Sequence, residues 1–273
     1  MIQISNVTKD YPQGTGLRTR ALDHVDLTIE PGEFVGIVGR NGSGKTTLAR
    51  LLNGLLLPSS GQVLVDGWDT ADPCHRQDIR ARVGMVFQNP DNQIINPIVE
   101  EEVAFGVENL NLPSAEVTRR VDWVIELMGL SEWRHHAPHL LSGGQKQRLA
   151  IAAALAMGNS YLVLDEPTSM LDQLARRDLM TCLKRLVREE KITVILISHS
   201  MEEVAEADRL IVLHRGSIHL DGSPGQVFNA PGFVQTGLKR PPIPGLVDGL
   251  LKLGHQINQE IVTLEQMVEF LCQ

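Results

Sequence analysis

The stretch Phe34-Val35-Gly36-Ile37-Val38-Gly39-Arg40-Asn41-Gly42-Ser43-Gly44-Lys45-Thr46-Thr47 decides the fold. Its first five residues form a short apolar run, the pattern of a strand buried on both faces. A glycine-rich turn follows, and then a helical spacing over about 45–56. The turn fits G-x-x-x-x-G-K-[ST], a pattern that chance places in roughly one in a hundred chains of this length. Glycines let the backbone wrap a phosphate with its N–H groups turned inward. The helix that opens at the turn presents its positive end to that phosphate. Lys45 is placed to reach the β- and γ-phosphates, and the Thr46 hydroxyl to ligate Mg2+. Residues 39–47 are therefore the candidate nucleotide-binding loop.

Working outward, further buried strands are expected at 83–87, 161–164 and 193–197. Helical spacing lies between them at 99–110, 114–129, 142–157 and 172–190. Strands alternating with helices imply βαβ units and a mostly parallel sheet. Residues 2–7 and 21–30 alternate at period two, and 209–214 with 217–220 flank Arg215-Gly216 as a hairpin. Asp165-Glu166 closes one apolar strand at the sheet end where ligands sit. Asp165 there would hold Mg2+ through water, and Glu166 would polarise an attacking water. Leu141-Ser142-Gly143-Gly144-Gln145 opens the 142–157 helix with Ser142 as N-cap and unencumbered N–H groups suited to an anion.

The chain has 273 residues, with 42% apolar and 21% charged, an ordinary globular mixture. Its net charge of −8 argues against a nucleic-acid partner, although a local basic site stays open. Three dispersed cysteines form neither a disulfide framework nor a zinc pattern and suit a reducing compartment. The start has no signal-peptide pattern, and no apolar run reaches the roughly 20 residues of a bilayer span. The chain is expected to reach a membrane only through a partner. His135, His136 and His139 read as ordinary histidines, because Pro138 interrupts them and no carboxylate or cysteine is interleaved. Glu100-Glu101-Glu102 reads as a solvated helix start. The texture changes after Gly222: 223–245 is too rich in proline and glycine for regular elements, and helical spacing returns at 246–255 and 263–272.

With these motifs in this order, the chain resembles the nucleotide-binding subunit of an ATP-binding cassette transporter. The resemblance implies an α/β fold: a phosphate-loop NTPase core with a RecA-like parallel sheet, an antiparallel β subdomain, a helical subdomain at about 89–158, and a small C-terminal α/β appendage. The cassette would span 1–222 and the appendage 223–273. By the same resemblance, Tyr11 stacks on adenine, and Gln88 touches Mg2+ and the attacking water. His199 contacts the γ-phosphate, and Ser169-Met170-Leu171-Asp172 crosses a dimer interface. Two copies meet head to tail, and Leu141–Gln145 of one completes the ATP site of the other.

Gln88-Asn89-Pro90-Asp91-Asn92-Gln93, the following VEEEVAFGVEN and the tail beyond Gly222 resemble more narrowly the ATPase subunits of energy-coupling factor importers, which take up vitamins and transition metals. The 168–172 wording is closer to the first of two ATPase paralogues. The resemblance implies ATP and Mg2+ as ligands and a peripheral place on the cytoplasmic face of the cell membrane. It also implies three partners: a second ATPase, a transmembrane coupling protein and an integral membrane substrate-binding protein. The tail would help to hold the ATPases together, with Leu250 and Leu253 as contact residues. A soluble cassette ATPase of iron–sulfur assembly or translation-factor type is the competing reading. A nucleotide-gated module without turnover is the third.

Overall fold

The computed structural model describes residues 1–12, 14 and 18–272. Two sheets take their strands from Ile2 to Gly222. The smaller is antiparallel and runs β2 (Arg18–Ile29), β1 (Ile2–Pro12), β4 (Ser60–Val65), β5 (Trp68–Asp69). The sequence reading lacked β4 and β5. Val63 and Val65 point into the core, and the Asp66-Gly67 turn has positive φ at both positions (49° and 86°). An Asp-Gly pair is a strong hairpin signal.

The larger sheet has six strands, ordered β10 (Ser217–Gly222), β9 (Arg209–His214), β3 (Phe34–Val38), β8 (Thr193–Ile197), β7 (Tyr161–Asp165), β6 (Val83–Val86). All are parallel except β10, which pairs antiparallel with β9 through the Arg215-Gly216 turn. Side chains alternate between two cores along each strand, as the pleat requires. Val35, Ile37, Met85, Val163, Ile195 and Ile211 face the small sheet and α1 (Lys45–Leu52). Phe34, Val38, Val86, Leu164, Leu196 and Val212 face the opposite way, into the core of the remaining helices. The α1 helix stops a turn earlier than its apolar spacing suggests, because Gly54 takes a left-handed φ of 68°.

On the small-sheet side, α2 (Arg76–Arg82) buries Ile79 and leads into β6; on the opposite side, α3 (Val99–Glu108), α4 (Ser114–Leu127) and α5 (Gly143–Ala156) form a helical lobe. Ala150, Ala152, Ala154 and Ala156 of α5 are buried, where small side chains allow close packing. α6 (Gln173–Arg188) covers the sheet, and α7 (Met201–Val204) lies against β3. Gly36 makes that approach possible, since a Cβ there would lie 2.9 Å from the Val204 Cβ.

The sequence expectation for 223–245 is corrected: α8 (Pro224–Asn229) and α9 (Pro231–Gln235) occupy it, and α10 (Pro242–Lys252) begins in it. Proline sits in the first turn of each, where its missing N–H costs nothing. Val227, Phe228 and Phe233 join the core beneath the parallel sheet. Val247, Ile257, Ile261 and Met267 make a separate small cluster between α10 and α11 (Leu264–Leu271). Among the described residues no strand lies beyond Gly222, so the tail expected to be α/β is helical, with 257–262 an irregular link.

Candidate active site

Four neighbouring parallel strands, β3, β8, β7 and β6, end at one edge of the sheet. Each delivers a different group: β3 the 39–47 loop, β8 His199, β7 Asp165 and Glu166, and β6 Gln88. Polar groups gather at this carboxyl edge because the strands themselves are apolar and buried on both faces.

The 39–47 loop is built by close backbone approach. Gly44 has φ 105°, and a Cβ on it would lie 2.5 Å from Ala21 O. Gly216 in the β9–β10 turn donates its N–H to Ser43 O at 3.0 Å, an ordinary hydrogen-bond distance. The Lys45 ammonium donates to Gly39 O at 2.8 Å and to Arg40 O at 3.3 Å. Burial pushes its pKa down, against the pull of the Glu166 and Asp165 carboxylates. The Tyr11 hydroxyl meets Thr47 Oγ1 at 3.3 Å, which sets its ring at the lip of the loop. Arg40 and Asn41 are exposed at the apex of the loop.

Thr46 Oγ1 donates to Asp165 Oδ1 at 3.4 Å. Asp165 is 7% exposed, and burial raises its pKa, opposed by the Thr46 hydroxyl and reinforced by the charge of Glu166. Glu166 sits at φ 54°, a left-handed conformation that costs on the order of 1–3 kcal/mol and is found where surrounding contacts over-determine it. Those contacts are present. Glu166 N–H donates to Ile197 O at 2.9 Å, and Ser169 donates its hydroxyl to Glu166 O at 3.0 Å. The Glu166 carboxylate then meets His199 Nε2 at 2.5 Å and accepts from Gln88 Nε2 at 3.2 Å.

Gln93, quoted above only as part of a motif, buttresses Gln88. Its amide donates to Met85 O at 3.2 Å and accepts from Phe87 N at 3.3 Å, which fixes the end of β6. Lys146 on α5 pairs with Asp91 at 2.7 Å and ties that loop to the helix that follows Ser142.

Residues 141–145 and 169–172 form a second cluster. No hydrogen bond or ion pair among the described residues joins 141–145 to the 39–47 loop. Ser142 and Gln145 make a reciprocal cap, with Ser142 N donating to Gln145 Oε1 at 2.8 Å and Gln145 N to Ser142 Oγ at 3.3 Å. A Cβ on Gly143 would stand 3.7 Å from Met170 O, and one on Gly144 2.9 Å from the Ala175 Cβ. Leu141 and Leu171 are buried, Asp172 caps α6 by accepting from Ala175 N at 2.8 Å, and Met170 projects outward, 61% exposed.

Two glutamates escaped the sequence reading. Glu102, expected in solvent, is 5% exposed, and one of its oxygens accepts from Ile95 N, Asn96 N and Asn96 Nδ2. Its neighbour Glu100 pairs with Arg134 and His135 instead. Glu203 is buried beneath the site. Helix phase and tertiary partners single these residues out, and nothing in an acidic run distinguishes one glutamate from the next.

The profile of the family described as "ABC transporter" matches residues 22–169, and one described as "AAA domain, putative AbiEii toxin, Type IV TA system" matches 135–205. The energy-coupling factor transporter ATP-binding protein EcfA1 of Caldanaerobacter subterraneus subsp. tengcongensis is 48% identical over 273 residues, 100% of this chain and 99% of the relative. Among solved structures, cbiO1 from Clostridium perfringens, described as part of the ABC transporter complex cbiONQ, aligns over 92% of this chain and 98% of its own. It has 34% identity and a TM-score of 0.77. A dimeric post-hydrolysis state of the ATP-binding cassette MJ0796 bound to ADP and Pi aligns over 82% and 99%, with 32% identity and a TM-score of 0.74. The chain belongs to the ABC transporter family, among its energy-coupling factor ATP-binding proteins.

Proposed function

We propose that this chain binds and hydrolyses ATP to energise an energy-coupling factor importer of vitamins or transition-metal ions. The observation that carries the hydrolytic reading is the convergence of His199 and Gln88 on the Glu166 carboxylate at the strand edge that also bears the phosphate loop. Residues 39–47 hold the phosphates, with Tyr11 against the adenine. The fit to a phosphate is physical: Ser43 Oγ is buried in the loop without a protein partner, and the Lys45 ammonium lies in the same turn. Thr46, Asp165 and Gln88 offer the oxygen ligands a hard dication prefers. When bound, Mg2+ neutralises charge on the phosphate oxygens.

Glu166 orients or deprotonates water, and His199 contacts the γ-phosphate. Catalysis by these residues is positioning and charge stabilisation. Residues 141–145 complete the ATP site of a second ATPase, identical or paralogous, and 169–172 cross the interface. In the transport complex the chain is held at the cytoplasmic face of the membrane by its partners. No helix among the described residues is long and apolar enough to cross a bilayer. A groove of about 580 Å³ beyond Gln88, lined by Asn96, Ile98, Glu101, Phe105 and Glu108, is the proposed seat of the coupling protein.

Glu166→Gln should leave ATP binding largely intact and nearly abolish turnover in the assembled complex; wild-type hydrolysis would overturn the role of Glu166. Lys45→Ala should weaken nucleotide binding, and tight binding would sink the phosphate-loop role. A tagged pull-down from detergent-solubilised membranes should bring down a second ATPase and small integral membrane proteins. Recovery of soluble partners alone would reject the transport reading.

A further inference from the structure

Glu203 lies outside every motif named above. It sits on the short α7 helix with its side chain turned inward, 4% exposed. Its Oε2 accepts from Ser198 Oγ at 2.6 Å and from Thr168 Oγ1 at 2.9 Å. Its Oε1 faces Arg176 Nε at 3.3 Å, an ion pair not aligned well enough for a hydrogen bond.

The three partners belong to three different segments. Thr168 is two residues past Glu166, Ser198 immediately precedes His199, and Arg176 lies in the first turn of α6, directly behind the 169–172 loop. Ser198 Oγ also accepts from Ser200 N at 2.9 Å, and Ser198 N–H donates to Ile37 O at 3.2 Å. Both sides of His199 are thereby bonded through one hydroxyl, and that hydroxyl is bonded to Glu203.

Stability alone gives no reason for a carboxylate here. Burying one is costly, and a well-packed apolar side chain of similar size is often as stable or more so. A carboxylate does what an apolar group cannot, since it fixes hydroxyls from separate segments on one oxygen. The segments it fixes are those that carry the Glu166–His199 contact, and Glu166 already needs external support for its left-handed backbone.

We propose that Glu203 is a positioning residue for ATP hydrolysis: it ties the segment bearing Glu166 to the segment bearing His199, and both to the helix behind the 169–172 loop, and so holds the two side chains in register. The proposal rests on the reading that Glu166 and His199 act on ATP.

The test is steady-state ATPase kinetics of the assembled complex with the full chain. Glu203→Ala should lower kcat about ten- to a hundredfold, the scale of a small misplacement of reacting groups, with KM for ATP unchanged. Glu203→Gln, which keeps an oxygen toward both hydroxyls, should restore most of kcat. Thr168→Val and Ser198→Ala should each lower kcat in part, and combined with Glu203→Ala should add little, as expected for groups in one network. If Glu203→Ala does not fold, Thr168→Val and Ser198→Ala carry the test with the same split between kcat and KM. An unchanged kcat, a kcat and KM that shift together, or no rescue by Gln would overturn the proposal. Wild-type hydrolysis by Glu166→Gln would instead overturn the site reading beneath it. With Glu166→Gln inactive and Glu203→Ala fully active, only the positioning role fails.

Discussion

Asp165 and Lys45 are held in the fold against their own charge. Asp165 retains its proton more tightly when folded than when unfolded, so its penalty is absent well below pH 3.8 and grows as pH rises through the raised folded value. Lys45 is shifted down, so its penalty is present at neutral pH and is relieved only as pH climbs toward 10.5. Asp165→Asn and Lys45→Met should therefore each raise the melting temperature of the nucleotide-free protein at pH 7 while lowering ATPase activity. Thermal unfolding beside an activity assay checks both, and a fall in melting temperature would reject the argument. The placement of these two residues was legible because a glycine pattern and a strand-end carboxylate pair each reflect local backbone chemistry. Glu203 was illegible because its burial depends on Thr168, far back along the chain, and Glu102 because only helix phase and the fold of the Ile95-Asn96 loop set it apart from Glu100 and Glu101.

At the scale of elements, the contact of α7 with β3 is the most exacting. A methyl group on Gly36 must displace Val204, and overpacking of this kind costs about 1–3 kcal/mol. Gly36→Ala should lower stability by that amount in denaturant unfolding, and Val204→Ala in the same chain should recover part of it. Failure of the second substitution to recover any stability would place the strain elsewhere. The buried strands could be read from their apolar runs because both faces of the parallel sheet are covered. β4 and β5 were harder to read because a half-exposed hairpin mixes Ser60, Gly61 and Gln62 with its core-facing valines. The prolines of α8, α9 and α10 read as breakers, but the chain uses them as helix starts.

At the scale of the whole molecule, the tail separates its inward and outward apolar residues. Leu250 packs on the tail's own small cluster, whereas Leu253, at 77% exposed, and Val268 face outward. Under the proposed role of the tail in joining two ATPases, Leu253→Asp with Val268→Asp should weaken the pair without changing the unfolding of the single chain. Leu250→Asp should instead destabilise the tail itself, by about 1–3 kcal/mol. Sedimentation and thermal unfolding separate these outcomes, and an unchanged association constant for the outward pair would reject the interface. The two leucines were indistinguishable in sequence, since an i, i+3 spacing puts both on one helix face, whereas α10 ends at Lys252 and leaves Leu253 in solvent.

The margins of the six-stranded sheet bear on how this protein meets other copies of itself. One margin is β6, only four residues long, and the other is β10, which runs against its neighbour with a register shift between Ile218 and Leu220. Short and bulged margins are poor templates for an incoming strand. Fibre growth by strand addition is thus discouraged at both ends of the sheet, which suits the proposed pairing with a second ATPase.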